Sequence, residues 1–201
     1  MHIVDGALST GVVIAGGVLA AGGLALGLKR LPVEKIPAAG VLSATFFVAS
    51  LVHVPLGPSS VHLIMNGLAG LILGWAAFPA LFIGLLLQAV FFGFGGITVL
   101  GVNTFNIAFP AVLAYYATRR GCANPNPKIA AAWAAFGGAF AIAMTTACVA
   151  VALGLSGEQF VPAAKLVFFA HIPIMAIEAA ISAAVVFLAA RVKPELLRSE
   201  V

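Results

Sequence analysis

The chain is written in long apolar stretches interrupted by short polar or basic clusters. A helix that crosses the hydrocarbon core of a bilayer needs about 20 mostly apolar residues. Seven stretches near 10–28, 37–54, 62–77, 79–95, 102–118, 129–154 and 161–190 meet or approach that requirement and predict seven transmembrane helices. From His62 to Thr118 there is no charge, and only Pro79, Pro110 and Gly93-Phe94-Gly95-Gly96 punctuate the run, so six helices is the competing count. Composition moves the same way: 63% hydrophobic residues, 8% charged residues and a mean hydropathy of +1.17 lie far from soluble domains. The expected fold is an all-α integral membrane protein, one compact transmembrane domain over 1–201 with an amino-terminal segment 1–9 and a tail 191–201.

Charge sets the orientation. Lys29, Arg30 and Lys35 follow the first stretch, Arg119, Arg120 and Lys128 the fifth, and Arg191, Lys193 and Arg198 the seventh, so nine of the ten basic residues fall on one side and Lys165 alone does not. The positive-inside rule makes that side cytoplasmic, with the amino terminus and the 55–61, 96–101 and 155–160 connections outside and the carboxyl terminus inside. Six helices would put both termini on one side and mix the clusters. The net charge of +4 is thereby absorbed by topology, and nucleic acid is not a predicted partner. Cys122 and Cys148 sit in a basic connection and an apolar stretch, which suits neither a disulfide framework nor a thiolate metal site. A signal peptide is not expected, because the amino terminus lacks a positive n-region and a cleavage site.

The chain start carries the most specific chemistry. A free Met1 amine, the amide nitrogen between Met1 and His2, and the His2 imidazole Nδ1 can close a five-membered and a six-membered chelate ring on one metal ion. The bulk of His2 protects Met1 from removal. Two further histidines lie near the outer ends of the second and third stretches: His53 in Leu51-Val52-His53-Val54-Pro55, and His62 after Pro58-Ser59-Ser60-Val61. Either imidazole can supply a fourth nitrogen. His62 is expected to open the third helix, with Ser59 or Ser60 capping it.

Three segments resemble a known family: Met1-His2-Ile3-Val4-Asp5-Gly6, Gly57-Pro58-Ser59-Ser60-Val61-His62-Leu63-Ile64-Met65-Asn66-Gly67, and Gly95-Gly96-Ile97-Thr98-Val99-Leu100-Gly101-Val102-Asn103-Thr104. Together they look like the CbiM/NikM type of membrane component, the substrate-specific subunit of energy-coupling-factor (ECF) transporters for cobalt and nickel. The resemblance implies that Met1, His2 and His62 hold the metal at the outer face. It also implies a transmembrane coupling subunit, ATPase subunits and a small auxiliary membrane subunit as partners in a bacterial or archaeal cell membrane, with Ni(II) or Co(II) as cargo and no resident cofactor. Four nitrogens, one from an ionised amide, favour square-planar coordination and hence nickel or copper(II) over zinc. The family carries both cobalt and nickel, and that pair is the expectation.

Asp5, His53, Asn66, Asn103 and Thr104 are candidates to support the site, because metal-bound imidazoles usually donate their second nitrogen to another group. Asp5 lies one turn beyond His2 and is read first as a cap for the first helix. His171 and Glu178 are seven residues apart, two turns of one helix, and neither belongs in lipid; locking the bundle is the favoured reading. Gly17, Ala21 and Ala25 form a small-residue stripe suited to close helix contact, either inside the bundle or against the coupling subunit.

The chain has no Gly-x-x-x-x-Gly-Lys-Ser/Thr phosphate loop, so ATP hydrolysis must belong to a partner, and no His-Glu-x-x-His or similar cluster, so an intramembrane metalloenzyme is disfavoured. A related component for a vitamin is the alternative, and it leaves Met1 and His2 without a purpose. Because both the terminal amine, with an ordinary pKa of about 7.7–8.0, and the amide lose a proton on binding, metal affinity is expected to fall steeply from about pH 8 to about pH 5.5. Isothermal titration across that range checks this, and a flat profile counts against amine ligation.

Overall fold

The computed structural model describes residues 2–51, 53–56 and 59–198, of which 53–56, 59, 60 and 198 are described by their backbone. Met1, Gly57, Pro58 and the last three residues of the expected tail lie outside the described residues. The helices are α1 (Thr10–Lys29), α2 (Ile36–Ala49), α3 (Asn66–Leu73), α4 (Ala77–Phe92), α5 (Leu100–Cys122), α6 (Pro127–Gly154), α7 (Val161–Ala170), α8 (Ile172–Val192) and the short α9 (Glu195–Arg198). Between α2 and α3, β1 (His53–Leu56) and β2 (Ser59–His62) form an antiparallel hairpin that pairs His53 with His62.

Among the described residues four stretches are long and apolar enough to cross a membrane: Thr10–Lys29, Asn66–Phe92, Pro127–Gly154 and Glu158–Val192. Their outward faces carry Val18, Leu28, Val90, Phe91, Phe136, Val151 and Leu188, the side chains expected against lipid.

Local sequence explains the boundaries. Asn126 caps α6, its side chain accepting the Lys128 N–H at 3.0 Å, and Pro127 occupies the first turn, where a missing N–H costs nothing. At the end of α4, Gly93 takes the left-handed conformation (φ 65°) that terminates helices. Gly74 (φ 56°, ψ −125°) stops α3, and after a single 3₁₀ turn the chain continues as α4. The neighbours of α3 and α4 show that the direction reverses there. Trp75, Phe78 and Pro79 lie beside Gly23 and Gly27 near the end of α1, whereas Phe94 and Gly95, after α4, lie beside His2 at its start.

Three expected boundaries change. The stretch 62–77 does not open as a helix at His62: the residues before it pair as a hairpin, α3 starts at Asn66, and Ser59 and Ser60 belong to β2. The stretch 37–54 ends as helix at Ala49 for the same reason, since the chain must extend to enter β1. The stretch 161–190 is interrupted at His171, because Pro173 has no N–H to donate to the Phe169 carbonyl and its ring crowds that carbonyl.

Small residues bring the helices together. The face of α1 that packs inward is Gly16, Ala20, Gly23 and Gly27, while Ala21 and Ala25 point outward. Gly17 is half-buried and touches Gly101 of α5 through its backbone. Gly70 of α3 lies so close to α5 that a Cβ there would come within 2.1 Å of the Ala111 carbonyl oxygen.

Charged residues separate by end. The end where α1 and α5 finish holds Arg30 and Arg119 around Trp75, Tyr115 and Tyr116. The opposite end gathers His2, Asp5, Phe94, Thr98 and Asn103 with the start of α1 and the end of α6. Gly70→Ala is expected to destabilise the bundle by about 1–3 kcal/mol through overpacking. Gly22→Ala, with open space around it, is expected to be neutral or to stabilise by up to about 1 kcal/mol. Thermal unfolding of the two purified variants in one detergent checks the contrast.

Candidate metal site at the amino-terminal end of the bundle

Residues 2–8 cross the end of the bundle without regular structure, so their backbone groups need partners from other elements. Asn103, in the first turn of α5, supplies two: its Oδ1 accepts the Ile3 N–H at 2.9 Å, and its Nδ2 donates to the Ile3 carbonyl at 3.0 Å. The side chain thus substitutes for a strand neighbour, and the fully buried Ile3 side chain anchors the same residue in the core.

Asp5 is held as firmly. Its N–H donates to the Gly95 carbonyl at 3.1 Å. Its Oδ1 accepts from the Thr98 hydroxyl at 2.5 Å and from the Thr98 and Val99 N–H groups at 3.2 and 3.3 Å. A carboxylate placed here satisfies orphan donors at the start of α5 and complements the helix dipole. The expectation that Asp5 caps the first helix is therefore corrected: it holds the turn at Thr98 and Val99 that leads into α5, and Ser9 occupies the boundary position of α1. The glycines of the 93–96 run make room, since a Cβ on Gly96 would overlap the Asp5 carboxylate and one on Gly95 would sit 2.9 Å from Asn103 Nδ2. Ser9 N–H donates to Ser156 Oγ at 3.1 Å and closes the segment onto the end of α6.

This anchoring brings His2 to His62. The two rings are stacked with centroids 4.6 Å apart and planes inclined by 22°, and Phe94 stacks on His2 at 6.3 Å. Both histidines are buried, at 3% and 2% exposure. His62 Nδ1 lies 2.7 Å from the Leu63 carbonyl oxygen, which can only accept, so Nδ1 is the donor of this contact.

The remaining candidates divide. His53 faces His62 through the hairpin backbone. Asn66, fully buried, donates to the Ile107 carbonyl at 2.8 Å and to Thr145 Oγ1 at 2.9 Å, binding α3 to α5 and α6. Thr104 returns its hydroxyl to the Leu100 carbonyl of its own helix at 2.8 Å. His171 Nδ1 lies 2.6 Å from the Val167 carbonyl at the break between α7 and α8. Glu178 reaches across to α3, its Oε1 accepting the Ile64 and Met65 N–H groups at 2.6 and 2.7 Å. Sequence reasoning missed Phe94, Thr98, the Leu63 carbonyl and the particular target of Glu178. The Gly93-Phe94-Gly95-Gly96 run was a visible signal for the first, because an aromatic residue between glycines has an unobstructed approach to a neighbouring backbone.

Among the described residues no three His, Cys, Asp or Glu side chains cluster closely enough to hold an ion. The two stacked imidazoles bring two ring systems with nitrogen donors to one place.

The fold and this site define a class, a multi-pass membrane transporter component. A crystal structure described as a transition metal transporter superposes with a TM-score of 0.82 at 28% identity, covering 96% of this chain and 93% of that one. The family described as CbiM, cobalt uptake substrate-specific transmembrane region, matches residues 2–196, and the chain belongs to it. A Haemophilus influenzae protein named for metal transport is 41% identical over 98% of this chain and 97% of its own length. The fused nickel transport protein NikMN of Rhodobacter capsulatus is 36% identical over 67% of this chain, which matches 40% of that longer protein. The chain is a transporter component and not an enzyme.

Asn103→Ala removes both partners of the Ile3 peptide groups, and leaving a buried donor unpaired costs about 1–3 kcal/mol. Amide exchange at Ile3 is expected to accelerate by roughly 10–100-fold while exchange in the middle of α6 is unchanged; mass spectrometry resolves the two regions.

Proposed function

We propose that this chain is the substrate-binding component of an ECF-type importer for Ni(II) or Co(II), taking up the ion at the extracytoplasmic face through Met1, His2 and His62. The observation that carries the reading is the meeting of His2 with His62 across sixty residues of chain. With a metal–nitrogen bond of about 2.0 Å, a ring centroid lies roughly 3 Å from a bound ion, so rings on adjacent corners of a square have centroids about 4.5 Å apart and rings on opposite corners about 6 Å. The 4.6 Å spacing suits adjacent corners. A terminal chelate demands that arrangement: the amine and the His2 imidazole take opposite corners around the amide nitrogen, and the fourth ligand falls beside His2.

His62 supports the reading through its orientation as well, since its Nδ1 contacts the Leu63 carbonyl, the kind of outer contact that metal-bound imidazoles usually make through their second nitrogen. In this assignment the fourth donor is already oriented. The donor set, with an ionised amide, ranks nickel and copper(II) above zinc and admits cobalt.

Orientation follows from the separation of charge: the end carrying Arg30, Arg119 and Arg120 faces the cytoplasm, and the His2 end faces outward. In this topology seven helical passes cross or enter the bilayer, counting the short α3 and the broken α7–α8 as one pass each. Energy comes from partner ATPases through a transmembrane coupling subunit, with a small auxiliary membrane subunit in the same complex. The outward-facing Ala21 and Ala25 of α1 offer that coupling subunit a close helix contact.

The test uses Ni(II) titration of the purified full chain. One residue inserted between Met1 and His2, and separately His62→Ala, are each expected to weaken binding on the order of 100-fold, since losing a ligand exceeds the effect of losing an outer partner. A carboxyl-terminal tag is expected to leave affinity unchanged. Tight binding that survives the insertion refutes terminal ligation.

A further inference from the structure

We infer that Glu178 is the positioning residue of the metal-binding histidine, acting through two peptide groups rather than on the ion; this rests on the assignment of His62 as a ligand. Glu178 lies on α8, 116 positions from His62 in sequence, and is fully buried. Its Oε1 receives two short hydrogen bonds, from the N–H groups of Ile64 at 2.6 Å and Met65 at 2.7 Å. Those residues are the second and third after His62.

The backbone they belong to does not hold its shape by default. Met65 has φ 58° and is the only non-glycine residue at positive φ among the described residues. A long side chain in the left-handed region persists only where surrounding contacts impose it. Met65 is also the residue ahead of α3, where no side chain of its own segment caps the helix. A carboxylate from another helix takes that part, satisfying two donors at a helix start inside the bundle and meeting the positive end of the dipole.

The link to His62 passes through Leu63. Fixing the Ile64 and Met65 N–H groups on one oxygen fixes the peptide plane between Leu63 and Ile64, because that plane contains both the Ile64 N–H and the Leu63 carbonyl. The Leu63 carbonyl is the group 2.7 Å from His62 Nδ1. One carboxylate oxygen thereby sets the direction of the acceptor that selects the His62 tautomer and aims Nε2. The second oxygen, Oε2, is buried without a hydrogen-bond partner among the described residues, so the interaction with the 64–65 peptide groups accounts for all the hydrogen bonding that Glu178 makes there.

The experiment adds Cu(II) and Ni(II) to the purified full chain with its native amino terminus, comparing wild type, His62→Ala, Glu178→Ala and Glu178→Gln. Copper reports coordination through its visible absorption, which moves to longer wavelength when a nitrogen donor is lost. Glu178→Ala is expected to bind Ni(II) about tenfold or more weakly and to shift the copper band towards that of His62→Ala. Glu178→Gln keeps an oxygen that accepts both N–H groups, so its affinity is expected within about threefold of wild type, with an unshifted band. A folded Glu178→Ala with wild-type affinity and band overturns the inference. So does a folded Glu178→Gln that loses them, because charge and not peptide positioning would then be responsible. The glutamine variant decides the matter if the alanine variant does not fold. If His62→Ala itself binds like wild type, the ligand assignment fails, a result separate from either outcome at Glu178.

Discussion

Backbone that leaves helical conformation inside a bilayer must find a partner for each N–H and C=O it releases, because lipid offers none. The candidate site is made almost entirely of such backbone: residues 2–8, the hairpin and the bend that follows it, and the turn after α4. Each is stitched by a side chain from a distant part of the chain or by the hairpin ladder. Asn103 holds Ile3, Asp5 holds Thr98 and Val99, and Glu178 holds Ile64 and Met65. The buried polar residues of this protein are the means by which irregular chain is tolerated at depth, and the irregular chain is what brings His2 against His62.

That arrangement explains why some of the molecule could be read from residues and some could not. Helices α1, α6 and α8 follow from long apolar runs bounded by Lys29, Asn126-Pro127 and Arg191, signals contained within a few residues. The convergence of His2 with His62 was legible because two polar rings at the ends of apolar stretches on one side of the bundle need each other's company, and the structure stacks them. The boundaries on either side of the 55–61 connection were misread, because the end of one apolar stretch and the start of the next pair as strands, and a few apolar residues fit a strand as well as a helix turn. Serines that suggest a helix cap occupy a strand instead, since the true cap, Glu178, comes from another helix altogether. Asp5 was misassigned on the same grounds: proximity in sequence favoured α1, while the fold offered the N–H groups of the turn that leads into α5.

The two ends of the bundle are chemically distinct. One carries the His2 and His62 imidazoles, the Asn103 amide and carboxylates absorbed by peptide donors; the other carries guanidinium groups laid over Trp75, Tyr115 and Tyr116. Aromatic rings with cationic neighbours suit the zone where headgroups meet water.

The short helix α3 is fastened at three heights. Glu178 ties its upper end to α8, Asn66 ties its first turn to α5 and α6, and Trp75 beyond its lower end donates to the Tyr116 hydroxyl at 2.9 Å, which also receives Arg30 from α1 at 3.2 Å. A rod tied to three separate neighbours has no free side along which to slip. Any shift of this helix against the rest of the bundle has to break buried hydrogen bonds to α5, α6 or α8.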